Sequence, residues 1–304
     1  MQQVEYNVPI APYTSMRVGG PVRLLCHPQS VEELVALLRE HRSDPVPPLV
    51  IGNASNMLFP DCGYDGCVLL TGGIRGLSEQ PSDGTVTALA GDPLTALAVF
   101  AAEHGRGGLS FAYGIPGTVG GAVYMNAGAY GGQVSDCLIR GVCTDLSGQL
   151  HVLEKEDFRF SYRHSVLQEN GLILLSAVFA CPKADPELLR AKMKKNMDAR
   201  KAKQPLEYPS CGSVFKRPDG YFAGALIEQA GLKGVSVGGA QVSEKHAGFI
   251  INTGSATSGD VRELIRLVQQ RVLEQSGVRL EPEVCILPDQ PNEKDLEPCP
   301  IPAN

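Results

Sequence analysis

Glycine is concentrated in residues 114–132, GIPGTVGGAVYMNAGAYGG, where seven of nineteen residues lack a side chain. Backbone without Cβ can take positive φ and can be pressed against a ligand, and its bare N–H groups suit phosphate oxygens. The stretch therefore reads either as a phosphate cradle or as a glycine-rich crossover between strands. Gly114, Gly117, Gly120 and Gly121 lack the G-x-G-x-x-G spacing of a dinucleotide-binding βαβ unit, and no G-x-x-x-x-G-K-[ST] occurs. A nucleotide bound here needs a different fold. A second loop with binding chemistry, GNASNMLF (52–59), follows a short apolar run. Its Gly, Asn and Ser offer donors at a strand end for a diphosphate or ribityl chain, with a plain polar turn as the alternative.

The elements that must hold these loops follow from periodicity. Ser30 and Glu33 form a capping box ahead of Val31, Leu34, Val35 and Leu38, which predicts a helix over 31–41. Residues 46–51, 68–71 and 85–90 read as strands. Asp92 is expected to cap a helix with Pro93 first and Leu94, Leu97, Ala98 and Ala101 on one face, ending at Gly105. Strands are expected around 138–144, 149–153 and 172–179, the last two separated by DFRFSYRHS (157–165). CPKADP (181–186) marks a boundary. The helix expected over 187–203 sets Arg190, Lys192, Lys194, Lys195, Arg200, Lys201 and Lys203 against Asp198, as a solvated face or as a basic rim drawing in a polyphosphate. PSCGSVFKRP (209–218) and a helix over 222–230 stopped by Gly231 come next. A long helix after Thr257 and Ser258 carries Val261, Leu264, Ile265, Val268 and Val272 at core spacing and stops at Gly277. Residues 278–287, VRLEPEVCIL, read as a strand with Glu281 and Glu283 on one face.

At 304 residues the chain has the length of about two domains. Its 27 Lys and Arg against 33 Asp and Glu leave a net charge of −6, which excludes a general nucleic-acid binder, since phosphate neutralisation carries that affinity. Nine cysteines without C-x-x-C or clustered His suggest neither a disulfide framework nor a metal site; reduced thiols in a cytosol are expected. The N-terminus has no basic segment leading into an apolar one, and no run of about eighteen apolar residues exists to span a membrane. A cytoplasmic protein without membrane contact is expected. Residues 290–304, with four prolines and few apolar side chains, read as a disordered tail.

Seven motifs occur in a shared order: YTSMRVGG (13–20), IGNASNML (51–58), the glycine stretch, FSYRHS (160–165), GSVFKRP (212–218), QVSEKHAGFIIN (241–252) and LEPEV (280–284). On these the chain, from about residue 5 to 288, resembles the UDP-N-acetylenolpyruvoylglucosamine reductases, flavoenzymes of peptidoglycan precursor synthesis. The resemblance implies an α+β fold: a two-subdomain FAD-binding domain of the vanillyl-alcohol oxidase/CO dehydrogenase flavoprotein type, then a smaller α+β substrate-binding domain. The implied division is 1–75, 76–185 and 186–280, with 281–289 a strand returning to the active site and 290–304 the tail.

The resemblance also implies noncovalent FAD along Gly52, Asn53, Ser55, Asn56, Gly114, Pro116, Gly117, Thr118, Gly120 and Gly121. NADPH reduces that FAD and leaves, and a UDP-sugar enolpyruvyl ether takes its place. By the same carry-over Arg163 holds the substrate carboxylate, Ser213 donates a proton, and Glu283 acts with Arg163 as a neutral acid of raised pKa. Glu283 is preferred to Glu281 because the family's acid immediately precedes the valine, here Val284. Lys245 and His246 fall in a matched motif, with structural positioning, phosphate contact and a part in the chemistry all open. Two departures stand out. Cys285 occupies the place of the family's usual Arg, and the short QPLEYPSCGS lacks the longer tyrosine-bearing loop. A monomer is expected. The rivals are an oxygen-consuming alcohol or sugar oxidase on the same flavin scaffold and a catalytically dead nucleotide-sugar sensor.

Overall fold

The computed structural model describes residues 4–289, so the expected tail at 290–304 lies outside the described residues. The fold is α+β, built on three main sheets. The first contains β1 (Val4–Pro9), β2 (Pro21–Cys26), β3 (Leu49–Ile51) and, after the short β4 (Met57–Leu58), β5 (Tyr64–Leu70), with α1 (Val31–His41) between β2 and β3. Its order is β1-β2-β5-β3, antiparallel at β1 and parallel thereafter. Only half of the capping box expected at α1 forms: Ser30 Oγ accepts from Glu33 N, but the Glu33 carboxylate takes Gln29 N, one residue before the cap, instead of Ser30 N. Parallel β5 is covered on both faces: Cys67 and Leu69 meet Leu34, Leu37 and Leu38 of α1, while Val68 and Leu70 pack with Ile10, Val22 and Phe59.

The second sheet comprises β6 (Leu77–Gln80), β7 (Thr85–Leu89) and, further along the chain, β10 to β12. Between them run α2 (Leu94–Glu103), α3 (Val119–Tyr124), the small hairpin β8 (Gly128–Ala129) and β9 (Gly132–Gln133), and α4 (Val134–Cys137). Then come β10 (Leu138–Thr144), β11 (Leu150–Glu154), α5 (Leu167–Asn170) and β12 (Ile173–Ala180). The order β11-β10-β12-β7-β6 is antiparallel throughout. Its Val86, Ala88, Leu174, Ala177 and Phe179 face Leu94, Leu97 and Ala101 of α2, Val119 and Val123 of α3, and Leu189 and Met193 of α6 (Pro186–Lys203). Asp92 does not cap α2. Pro93 holds the N-cap position, and the buried Asp92 carboxylate accepts from the N–H groups of Gly76 and Leu89, fastening the preceding strands.

The third sheet, β13 (Ser210–Ser213), β14 (Ser236–Val237), β15 (Ala240–Val242) and β16 (Phe249–Asn252), has the order β13-β16-β15-β14. It packs with α7 (Ala223–Gln229) and α8 (Ser258–Ser276), whose Thr257 capping box and left-handed Gly277 stop agree with the sequence. This core takes Met16, Val18 and Leu58 from the N-terminal region. The strand expected over 278–287 shrinks to β17 (Cys285–Ile286), which pairs in parallel with β4. Pro282 cannot donate to a ladder, and the segment before β17 is irregular. Seven of the described cysteines are free, in line with the expectation of reduced thiols. Among the described residues no helix is long and apolar enough to cross a membrane.

Candidate active site

Arg163 sits in a tight turn closed by reciprocal backbone bonds between Ser161 and His164 of 3.1 and 3.2 Å. Its φ of 57° is uncommon for a residue with a Cβ and persists only where the surroundings hold it. Those surroundings are polar and specific. The buried Asn126 amide donates to Ser161 O at 2.9 Å, and the Gln168 amide donates to Arg163 O at 3.1 Å and Tyr124 O at 2.8 Å. Arg163 Nε then donates to Glu283 Oε1 at 2.6 Å, Nη2 to Gly128 O at 3.3 Å, and the guanidinium lies 5.0 Å from the Tyr162 ring centre.

Glu283 is brought to this partner, 120 residues away in the chain, by its main chain. Its N–H donates to Val214 O at 2.7 Å, its carbonyl accepts from Asn56 Nδ2 at 2.9 Å, and Cys285 N donates to Asn56 O at 2.9 Å. The side chain is 14% exposed. Burial pushes its pKa above the usual carboxylate range; Arg163 and, more weakly, Lys216 pull the other way without cancelling that rise. Glu281 is different: it is exposed and paired with Lys216 at 3.5 Å. The two glutamates that alternation would put on one face are therefore separated by the irregular backbone. Ser213 ends β13, exposed, directly before the Val214 that anchors Glu283. The three expected catalytic residues thus converge on one place.

The cofactor loops also converge. A Cβ on Gly52 would lie 2.2 Å from Thr118 Oγ1, and one on Gly117 would touch Ser55 Oγ at 3.7 Å, so the 52–56 loop faces the glycine stretch with no side chain between. The donors, however, are divided unevenly. In the glycine stretch the N–H groups of Gly114, Ile115, Gly117, Val119, Gly120 and Gly121 all bond within the protein. Among the described residues those of Asn53, Ala54, Ser55 and Asn56 donate to no protein acceptor, and Ala54 has a positive φ of 43°. Free successive N–H groups around a left-handed residue form an anion-binding nest. The structure therefore fits a dinucleotide whose diphosphate is held by 53–56, while Gly114, Pro116, Gly117, Thr118, Gly120 and Gly121 permit close approach. Asn56 uses its amide to hold Glu283, which ties this loop to the catalytic end.

A cavity of about 670 Å³ opens beside Gly52 and Asn53, lined also by Thr14, Arg17, Gly72, Arg75 and Tyr208, within the range of nucleotide-sized sites. Arg163, Ser213 and Glu283 are not in its wall. His246 is a packing residue: its Nδ1 accepts from Gly248 N at 3.1 Å, its ring meets Phe249 edge-on, and burial lowers its pKa. Lys245 reaches Glu207 at 3.5 Å. Cys211 is buried with its thiol on Met57 O, and burial pushes its pKa up to about 12, so it packs rather than reacts. Sequence reasoning missed Asn126 and Gln168: Asn126 lies inside the glycine stretch but acts on a turn 35 residues away, and Gln168, five residues after Arg163, falls outside the FSYRHS motif.

Comparison with known proteins adds the following. A family model described as "FAD binding domain" matches residues 22–154, and one described as "UDP-N-acetylenolpyruvoylglucosamine reductase, C-terminal domain" matches residues 204–287. The UDP-N-acetylenolpyruvoylglucosamine reductase of Latilactobacillus sakei is 48% identical over 284 residues, 93% of each chain. That of Lactococcus lactis is 44% identical over 284 residues, 93% of this chain and 94% of its own. A crystal structure of the UDP-N-acetylenolpyruvylglucosamine reductase of Thermus caldophilus superposes with a TM-score of 0.80 at 37% identity, covering 95% of this chain and all of that one.

Proposed function

The chain belongs to the family of UDP-N-acetylenolpyruvoylglucosamine reductases, and from that premise we propose how its own residues carry out the reduction of enolpyruvyl-UDP-N-acetylglucosamine to UDP-N-acetylmuramate with NADPH. FAD is the cofactor, and when bound it supplies the two-electron chemistry that links NADPH to the vinyl ether. The 53–56 nest holds the FAD diphosphate, and the glycine stretch lets the ring system lie against main chain. Neither an alcohol or sugar oxidase nor a dead sensor gains support from the C-terminal match.

The observation that carries the catalytic reading is the Arg163–Glu283 contact at 2.6 Å beside Ser213. With Nε on Glu283 and Nη2 on Gly128 O, Arg163 keeps Nη1 for the substrate carboxylate, a planar charge-assisted contact that withdraws electrons from the conjugated double bond. Negative charge that develops beside that carboxylate is stabilised by the same guanidinium and by a protonated Glu283. Ser213, exposed at the end of β13, delivers the proton that completes saturation.

Several finer readings belong to the proposal. Division at about 75 and 185, with 281–289 returning to the active site, is supported by the three separate sheets and the β17–β4 pair. A monomer suffices, because one chain supplies Arg163, Ser213 and Glu283. The cytoplasm, where NADPH and UDP-sugars are available, is the proposed compartment, and the seven free thiols among the described residues suit it. The test separates the two half-reactions anaerobically. In Ser213→Ala, NADPH should bleach the flavin at a near-normal rate while reoxidation by the enolpyruvyl sugar slows by about 10²- to 10⁴-fold. Equal loss in both halves would make Ser213 structural.

A further inference from the structure

Arg200 lies in the last turn of α6, only 9% exposed, within a run of cations that the sequence presents as a solvated face. Its neighbours on the helix behave that way: Arg190 pairs with Glu187, and exposed Lys194 with Asp198 at 2.7 Å. The comparably buried arginines elsewhere each have a carboxylate, Arg106 with Glu79 at 2.6 Å and Arg262 with Asp289 at 3.3 Å. Arg200 has none. Its polar neighbours are an amide and a phenol: Nη1 donates to Gln204 Oε1 at 3.3 Å, and the guanidinium lies 5.9 Å from the Tyr130 ring centre. Among the described residues its Nε is the one buried side-chain nitrogen or oxygen without a hydrogen-bond partner.

A buried cation without a counter-charge is costly, and burial indeed lowers the Arg200 pKa. The place of the orphaned Nε says what could supply the missing charge. It sits 3.5 Å from where a Cβ on Gly114 would be, at one end of the loop whose other end, Gly117 and Thr118, meets Ser55 and Gly52. Tyr130 tips the β8–β9 hairpin whose Gly128 carbonyl accepts from Arg163. Arg200 therefore lies between the cofactor loop and the hairpin that borders the catalytic arginine.

Resting on the functional reading above, we propose that Arg200 is a phosphate-binding residue of the nucleotide site, its Nε and guanidinium face completed by a phosphate oxygen of a bound nucleotide. Three ligands carry that group, FAD, the UDP-sugar and NADPH, and separate titrations distinguish them. Arg200→Met and Arg200→Lys would be compared with wild type for FAD binding to deflavinated protein, and for UDP-N-acetylmuramate and NADP⁺ binding to holoenzyme by flavin absorbance. Arg200→Met should weaken one of the three by at least about tenfold, about 1.4 kcal/mol, with Arg200→Lys retaining most of the affinity. The ligand that weakens identifies the phosphate.

A second readout separates binding from structure. Removing an uncompensated buried charge should leave the deflavinated Arg200→Met protein melting at or above wild type, whereas a purely structural arginine would lower the midpoint. Affinities unchanged within about twofold for all three ligands, or a lowered midpoint with affinities intact, overturn the proposal. Wild-type protein that binds neither FAD nor UDP-N-acetylmuramate would instead defeat the functional reading, and this assignment with it.

Discussion

At the scale of single residues the proposed chemistry turns on a carboxyl that burial keeps protonated more readily than water does and a guanidinium that opposes this from 2.6 Å. Because the folded-state pKa of Glu283 is raised, its contribution favours folding below the unfolded value near 4.5 and is lost as pH rises through the folded value. Glu283→Gln, which cannot ionise, should match wild-type stability at acid pH and gain on it progressively toward neutrality. Denaturation midpoints measured across pH would show this, and a pH-independent difference would contradict it. Arg163 admits no conservative exchange. Arg163→Lys loses the fork that reaches Glu283 and Gly128 together, so kcat should fall with KM rising, while flavin reduction by NADPH is spared.

At the scale of elements, loops do the binding and neighbouring structure fixes their shape. Gly52→Ala puts a methyl into Thr118, where the two loops meet, so FAD affinity should drop sharply while the rest of the fold persists; flavin fluorescence titration measures it. Asn126→Ala removes one of the two donors to the Ser161 carbonyl and leaves Ser135 N–H without its acceptor, beneath the Arg163 turn. A loss of about 1–3 kcal/mol in stability is expected, accompanied by slower turnover of the sugar. Sequence was a good guide wherever an element is set locally. The caps at Ser30 and Thr257 and the stop at Gly277 stand where their side chains place them. It misled at Asp92, whose carboxylate is claimed by Gly76, sixteen residues back, and by Leu89 at the end of the preceding strand, and at 278–287, where partners 65 and more residues away override alternation.

At the scale of the whole molecule, the C-terminal core is completed by Met16, Val18 and Leu58 from the first 60 residues, and among the described residues β17 pairs with β4 alone. The two ends of the chain therefore stabilise each other. Leu58→Ala should cost about 2–5 kcal/mol and lower a single cooperative transition rather than release the C-terminal part alone. Two resolved transitions in calorimetry would contradict that coupling. Excess FAD should raise the midpoint in proportion to the logarithm of its concentration above the dissociation constant.

What the sequence determined by itself was the inventory: the glycine-dense stretch, the strand-end Asn and Ser loop, the helices with their caps, and motifs ordered closely enough to imply both the α+β fold and the reductase chemistry. Those features are local, written in φ preference, side-chain spacing and residue type. Only the tertiary structure decided which members of the inventory meet and in what surroundings. It left the N–H groups of 53–56 without protein acceptors while most of those between Gly114 and Gly121 bond within the fold, buried Glu283 beside Arg163 and left Glu281 exposed, and buried Arg200 without a carboxylate amid a row of like charges. Desolvation and unpaired donors are properties of surroundings contributed by distant segments, and no local pattern encodes them.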